Sequence, residues 1–424
     1  MTPFHTAGNT LHCEQACLAT IAEQFDTPTY VYSRAALVAA WEGFAHAAAG
    51  RGVLLCFAMK ANPNLAILNL FARLGAGFDI VSGGELARVL AAGGDPAKVV
   101  FSGVGKRASE IREALERGVR CFNVESQAEL ERINEIAQAM GRRAPISLRV
   151  NPDVDAGTHP YISTGLRENK FGIAHDSARE VYRQAQRMPG IEVLGIDCHI
   201  GSQIVESAPF MDALERILGL ADALEQDGIA LRHLDLGGGL GIRYDQETPP
   251  ARATLIRLLL DRVDRWRAAK PERSNVQVIF EFGRALVAEA GVLLTRVEYL
   301  KTNGDKHFAI VDAAMNDLMR PALYEAWHPV TPVNAEPNCP EQTYDLVGPV
   351  CESGDWIARD RRLALAQGDL LAIGCVGAYG MSMASNYNSR GRAAEVLVDG
   401  AAVHLVRPRE LIASLFAGEQ VIPD

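Results

Sequence analysis

Between residues 35 and 281 the chain alternates short apolar runs with amphipathic stretches, eight times and without a break, and this regularity limits the folds open to it. The apolar runs are Leu54–Ala58, Phe78–Val81, Val99–Ser102, Cys121–Val124, Ile146–Val150, Val193–His199, His233–Leu236 and Val276–Glu281. Short, continuously apolar strands alternating with helices mark a parallel sheet covered on both faces. The stretches between them carry helical periodicity. Ile111, Ala114, Leu115 and Gly118 share one face, Ser126-Gln127-Ala128-Glu129 has the spacing of a capping box, and a helix over Ala35–Ala48 precedes the first strand. Eight near-uniform units predict a TIM-like (β/α)8 barrel over residues 35–284. A doubly wound sheet is the alternative, but it would carry a reversal of strand order, and no break of that kind interrupts the pattern.

After residue 285 the period changes. Val292–Lys301 and His307–Val311 flank Asn303-Gly304, and Glu395–Val398 and Ala402–Val406 flank Asp399-Gly400. Both are hairpin signals, because such pairs supply the positive φ that a tight turn needs. Tyr344–Val347 and Leu370–Ile373 read as further strands, and the proline- and asparagine-rich residues 328–343 as a loop. Residues 285–424 are therefore expected to form a second, mostly β domain, sandwich-like or barrel-like. Residues 1–34 are expected to pack with it.

Apolar residues make up 48% of the 424, enough to bury a large core. The formal net charge of −10 argues against a nucleic-acid partner, since neutralising phosphates takes a basic face. The opening Met1-Thr2-Pro3-Phe4-His5 has no basic segment followed by an apolar run, and no stretch approaches the roughly 18 apolar residues of a membrane span. A soluble, cytoplasmic protein with no membrane partner is expected. The eight cysteines are scattered, and Cys13 and Cys17 lack a second close pair, so no metal site is expected. Cys56, Cys121 and Cys198 lie in apolar strand patterns and read as small core residues. Cys351, in Gly348-Pro349-Val350-Cys351-Glu352, has a polar, turn-like setting that suits chemistry.

In a parallel barrel, functional side chains project from the C-terminal strand ends. By that rule Lys60 follows the first strand, Asp79 and Ser82 close the second, Arg149 and Asn151 the fifth and His199 the sixth; Gly237-Gly238-Gly239 follows the seventh and Glu281 ends the eighth. Lys60 is one of only seven lysines. It is either a solvated loop residue or the primary amine that a Schiff base requires and arginine cannot supply. The glycines either serve a tight turn or offer bare amides where barrels bind phosphate; their spacing is not that of a dinucleotide fingerprint. His199 is a structural histidine or a flat ring that stacks on a cofactor. Glu281 ends an apolar strand and needs a cationic companion, either Arg284 or a protonated ring nitrogen. Ser82-Gly83-Gly84-Glu85 reads as a capping box or as part of the site. Residues 151–175 are long for a strand–helix connection, and loops of that length are usually functional or disordered.

The runs at 58–62 (AMKAN), 78–86 (FDIVSGGEL), 199–203 (HIGSQ), 237–239 (GGG), 315–321 (MNDLMRP), 348–353 (GPVCES) and 377–380 (GAYG) occur in this order over nearly the whole chain. Together they resemble the alanine-racemase-type barrel decarboxylases that depend on pyridoxal 5'-phosphate. The resemblance implies that Lys60 carries the cofactor, that His199 stacks on its ring, and that Asp79 and Arg149 support it. It implies that Glu281 pairs with the ring nitrogen and that Ser202, Gly237, Gly238, Gly239, Gly283 and Tyr379 hold the phosphate end, with Arg284 close to both cofactor and substrate. Arg284, Arg320 and Tyr324, with Tyr379 beside them, would bind the substrate carboxylate far from the reacting carbon. Cys351 would return a proton and Glu352 would hold the distal ammonium, both supplied by the second chain of a homodimer. The activity implied is decarboxylation of meso-2,6-diaminopimelate to L-lysine, the last step of lysine biosynthesis. A decarboxylase of ornithine, lysine or a carboxylated polyamine is the alternative, and a non-catalytic regulatory relative is a further one. Racemases of this fold place an arginine at the ring nitrogen, so Glu281 argues against racemase chemistry. Two positions depart from the family pattern: Phe282 stands where proline is usual, and Phe57 where tyrosine is usual.

Overall fold

The computed structural model describes residues 3–157, 159, 164, 165, 169–334 and 339–423. The chain divides into two compact units, one of residues 41–243 and 247–285, the other of residues 1–40, 244–246 and 286–424.

The first unit is the barrel. Val53–Ala58, Gly77–Ile80, Val99–Phe101, Cys121–Val124, Ala144–Asn151, Ile191–Asp197, His233–Asp235 and Gln277–Phe282 pair in parallel in chain order. The last strand pairs with the first, Glu281 opposite Cys56 and Phe282 opposite Phe57, so no edge is left open. Leu54, Cys56, Val100, Cys121 and Ile279 form a buried cluster in its strands. The helix Ala108–Arg117 buries Ile111, Ala114 and Leu115 and ends at Gly118, whose φ of 72° suits a residue without a Cβ. Ser82 and Ser126 each cap a helix, accepting the N–H of Glu85 and of Glu129 at 3.2 Å. Neither forms a reciprocal box, because Glu85 and Glu129 reach one residue further back, to the N–H of Val81 (2.6 Å) and of Glu125 (2.9 Å). The two phenylalanines that depart from the resembled pattern are absorbed by packing. Phe282 stacks on Phe44 at 4.2 Å between ring centres, and Phe57 packs on Phe71 at 4.7 Å. In the connection 151–175, Ile173–Ala174 adds a short parallel pairing to Val150 and Asn151; positions 158, 160–163 and 166–168 lie outside the described residues.

The second unit is mostly β. Gly291–Asn303 and Lys306–Val311 form an antiparallel hairpin, as do Ala394–Asp399 and Ala402–Arg407. One sheet runs in the order Trp356–Leu363, Gln342–Val347, Lys306–Val311, Gly291–Asn303, Thr29–Ser33, Ala394–Asp399 and Ala402–Arg407. Thr29–Ser33 therefore sits centrally, buried throughout, between an antiparallel and a parallel neighbour. Residues 328–343 are not wholly a loop: Val330–Pro332 is a strand against Leu371–Ile373. Its proline ends a three-residue strand, a position where a missing N–H is tolerated. The N-terminal strands Phe4–Ala7, Thr10–Cys13 and Ala16–Cys17 and the helix Leu18–Phe25 contribute Leu11, Leu18 and Ile21 to a core shared with Val31, Leu294 and Val396. Among the described residues no helix is long and apolar enough to cross a membrane.

Candidate active site

Lys60 lies in the short turn Met59–Ala61 that leaves the first barrel strand. Met59 and Ala61 are buried and anchor the turn, while the Lys60 side chain keeps 38% of its surface open. Asn64 then caps the following helix, Leu65–Arg73, by accepting the N–H of Ala66 at 2.9 Å. The amine is held yet reachable: Nζ lies 2.8 Å from Oδ2 of Asp79, whose other oxygen is buried with no hydrogen-bond partner.

His199 accepts the N–H of Gly238 at Nδ1 (3.2 Å), so its ring proton sits on Nε2. Burial, then the charges of Arg149 and Lys60, push the imidazole well below its usual range, and the ring is neutral at physiological pH. Arg149, on the fifth strand, is fixed by Glu125 at 2.9 Å and lies 4.9 Å over the Phe171 ring. The glycine loop is set by close approach. A Cβ on Gly238 would stand 2.0 Å from the Glu281 carbonyl oxygen, and one on Gly239 2.3 Å from that of Gly201. Only glycine admits this interlocking of the sixth, seventh and eighth strand ends. A Cβ on Gly283 would sit 3.1 Å from the Ala58 carbonyl oxygen, beside the Lys60 turn. Arg284 donates to Ser202 Oγ from Nη2 (3.0 Å) and Nε (3.3 Å).

Glu281 is buried, and Oε1 lies 3.4 Å from the amide nitrogen of Asn123. Oxygens of Glu281, Asp197 and Asp235 lie within 4.8 Å of one another. Asp235 accepts the N–H of Gly237 at 2.9 Å; its second oxygen and one of Asp197 are buried without partners. Three carboxyl groups so placed cannot all ionise. Burial, then the charges of Asp235, Asp79 and Asp197, hold the Glu281 carboxyl well above the usual range, against the pull of Lys60. Asp197 is raised likewise by burial and then by Asp235. Asp235 is pushed up, chiefly by burial, to about 6.

The cluster therefore opposes folding at neutral pH. An acid whose pKa is raised on folding contributes most below its unfolded value of 3.8, and that contribution is lost as the pH rises through about 6. Asp235→Asn keeps an acceptor for Gly237 and removes the charge. We expect it to stabilise the chain by about 2–3 kcal/mol near pH 8. The gain should vanish near pH 4, as read from denaturant midpoints at the two pH values. A gain of the same size at both would contradict this account.

In the second unit Arg320 opens the helix Arg320–Tyr324 and is buried, and Tyr324 is half-buried at its end. Cys351 is exposed, its N–H donating to Asn388 at 3.2 Å. Glu352, also exposed, takes the hydroxyl of Tyr387, which raises that phenol's pKa. The Asp355 carboxylate ties this loop down, accepting the N–H of Val350 (2.8 Å) and of Met315 (2.6 Å). Tyr379 is half-buried at a φ of 57°, a left-handed conformation rare for a residue with a side chain.

The structure thus places Lys60, Asp79, Arg149, His199, Ser202, Gly237, Gly238, Gly239, Glu281, Gly283 and Arg284 at the C-terminal strand ends of the barrel. Arg320, Tyr324, Cys351, Glu352 and Tyr379 belong to the second unit. Sequence reasoning passed over Asn123, Glu125, Asp197 and Asp235. All four stand within one residue of the ends of strands, so the strand-end rule applied evenly would have found them.

A lysine, a neutral histidine, a glycine loop and a buried carboxyl group thus ring one end of the barrel. Residues 34–288 match the pyridoxal binding domain of the pyridoxal-dependent decarboxylases, and the chain belongs to that family. It is 60% identical to the diaminopimelate decarboxylase of Pseudomonas aeruginosa over 423 residues, all of both chains. It is 56% identical to that of Vibrio cholerae, over 98% of this chain and 97% of the other. The crystal structure of diaminopimelate decarboxylase from Helicobacter pylori complexed with L-lysine superposes with a TM-score of 0.88 at 41% identity, covering 95% of this chain and 99% of that one. The cofactor is pyridoxal 5'-phosphate, and the residues fit it. The amine of Lys60 is reachable, Glu281 offers a carboxyl group, and Asp79 keeps a buried oxygen without a partner.

Proposed function

We propose that this chain decarboxylates meso-2,6-diaminopimelate to L-lysine and carbon dioxide, the last step of lysine biosynthesis. The observation that carries this reading is identity of 60% over the full chain to a diaminopimelate decarboxylase, with Lys60 held by Asp79 at the barrel end. Pyridoxal phosphate, when bound, supplies an electron sink for the charge left at the substrate Cα as carbon dioxide departs. Lys60 carries it, and Asp79 holds that amine in place. Glu281 would pair with the ring nitrogen and favour its protonated form, which would strengthen the sink. The neutral His199 offers a flat face without a competing charge. Arg149, Gly283 and Arg284 hold the cofactor, with Ser202, Gly237, Gly238, Gly239 and Tyr379 at its phosphate end. Arg284, Arg320, Tyr324 and Tyr379 bind the distal carboxylate, and Glu352 the distal ammonium. The bond from Cα to the carboxylate carbon breaks, and the Cys351 thiol returns a proton to Cα. The enzyme works in the cytoplasm as a homodimer in which Cys351 and Glu352 of one chain serve the site of the other.

Product analysis with meso-diaminopimelate, ornithine and lysine offered together tests the reading. Lysine and carbon dioxide should form, with little cadaverine or putrescine. Predominant diamine would make the chain a decarboxylase of the shorter-headed substrates instead.

A further inference from the structure

Arg320 is held by a buried histidine, His328. His328 lies between the helix Arg320–Tyr324 and the strand Val330–Pro332 and is fully buried. Its Nδ1 is 2.9 Å from the Gly374 carbonyl oxygen and its Nε2 is 2.8 Å from Nη1 of Arg320. A carbonyl can only accept, so the ring proton sits on Nδ1. A guanidinium can only donate, so Nε2 turns its lone pair to Arg320. Two bonds thus fix one tautomer and one ring orientation.

The segment that carries the ring is clamped as well. Arg361 donates to the His328 carbonyl at 3.1 Å, and the Gly374 N–H donates to the Pro329 carbonyl at 2.8 Å. A Cβ on Gly374 would stand 2.8 Å from the Pro329 ring. Tyr244 closes the arrangement: the Arg320 guanidinium lies 4.6 Å over its ring, and the His328 ring meets it edge-on at 5.2 Å. An arginine free to rotate would lose that freedom on gripping a carboxylate, at a cost in affinity. Here the guanidinium is stacked on one face and bonded at one end before a ligand arrives.

We propose that His328 is a positioning residue for the substrate's distal carboxylate, acting through Nε2 to hold the Arg320 guanidinium and so setting affinity for substrates that carry that group. The proposal rests on the role given to Arg320 under the proposed function.

The test uses the cofactor-loaded enzyme and three chains: His328→Phe, Arg320→Met and the double variant. Phenylalanine keeps a ring against Tyr244 and loses both hydrogen bonds. We expect His328→Phe to raise KM for meso-diaminopimelate by roughly 10-fold or more, with kcat within about threefold and the cofactor absorption band unmoved. The double variant should be no worse than Arg320→Met alone, because both changes remove one arrangement. If Arg320→Met leaves KM unchanged, the reading of Arg320 itself fails. If Arg320→Met raises KM while His328→Phe does not, or if the two effects add in full, only the His328 proposal fails. Should His328→Phe not fold, two smaller polar variants decide. Glutamine reaches the Nε2 position and should keep KM within about threefold, whereas asparagine stops near Nδ1 and should raise it by roughly 10-fold. Equal KM values for the two would overturn the proposal.

Discussion

Lys60→Ala is expected to lower decarboxylation by roughly 10³-fold or more while leaving the chain folded, because on the role proposed for Lys60 the cofactor's covalent anchor is lost. The nearest rival by burial, Lys106, is committed elsewhere: its Nζ is bonded to the carbonyls of Gly103 (2.8 Å) and Asn123 (2.7 Å) and to Glu129 (2.7 Å). Releasing it would orphan a buried carboxylate. Borohydride reduction of the loaded enzyme followed by peptide mapping should therefore label the peptide containing Lys60. Label on Lys106 or Lys170 would refute the assignment. The same variant reports on assembly. Mixed with an inactive Cys351→Ala chain under conditions of subunit exchange, it should recover up to about a quarter of wild-type activity, since half of randomly mixed dimers are hybrids with one intact site. Proven exchange without recovery would count against a site shared between chains.

The second large effect concerns selectivity. A site built to pair a buried arginine with a carboxylate rejects an analogue lacking it, because the charge-assisted hydrogen bonds between the two are not made; polar discrimination can reach roughly 10⁴–10⁵-fold. Arg320 is buried, already oriented, and stacked on Tyr244. Wild-type enzyme should accordingly prefer meso-diaminopimelate over lysine and ornithine by several powers of ten in kcat/KM. Arg320→Met should narrow the gap chiefly by harming diaminopimelate turnover, with the cofactor band retained. A wild-type preference of less than about tenfold would show that Arg320 does not read the distal carboxylate.

The barrel was legible because its strands are mostly buried on both faces and so appear as largely apolar runs between amphipathic helices. The two hairpins were legible from Asn303-Gly304 and Asp399-Gly400. Several strands escaped, three of them for reasons that can be named. Trp356–Leu363 carries Arg359, Asp360, Arg361 and Arg362, which hide its pattern, and Val330–Pro332 is short and ends in proline. Thr29–Ser33 lies hundreds of residues from the strand Ala394–Asp399 beside it, a pairing that no local window can contain. Residues that project alone from a strand end, such as Lys60 and His199, could be placed there from the sequence. Those defined by company could not. Nothing local says that Asp197, Asp235 and Glu281, on three different strands, share one buried space, or that His328 turns its lone pair toward Arg320. Phe57 and Phe282 looked like disturbances in sequence. In space they extend an aromatic layer with Phe71 and Phe44.

The interlocking of Gly237, Gly238 and Gly239 with the neighbouring strand ends also bears on how this protein can vary over generations. On the role proposed for Lys60, a substitution there would abolish turnover and still leave an abundant, folded chain, so selection there would act on chemistry alone. At Gly238 even a methyl group would collide with the Glu281 backbone, and the same change damages the closure of the barrel and the outlook of the site. Cellular abundance and activity would fall together at these three positions. A lineage that relaxed its need for the reaction would therefore be free to lose Lys60 long before it could lose the glycines.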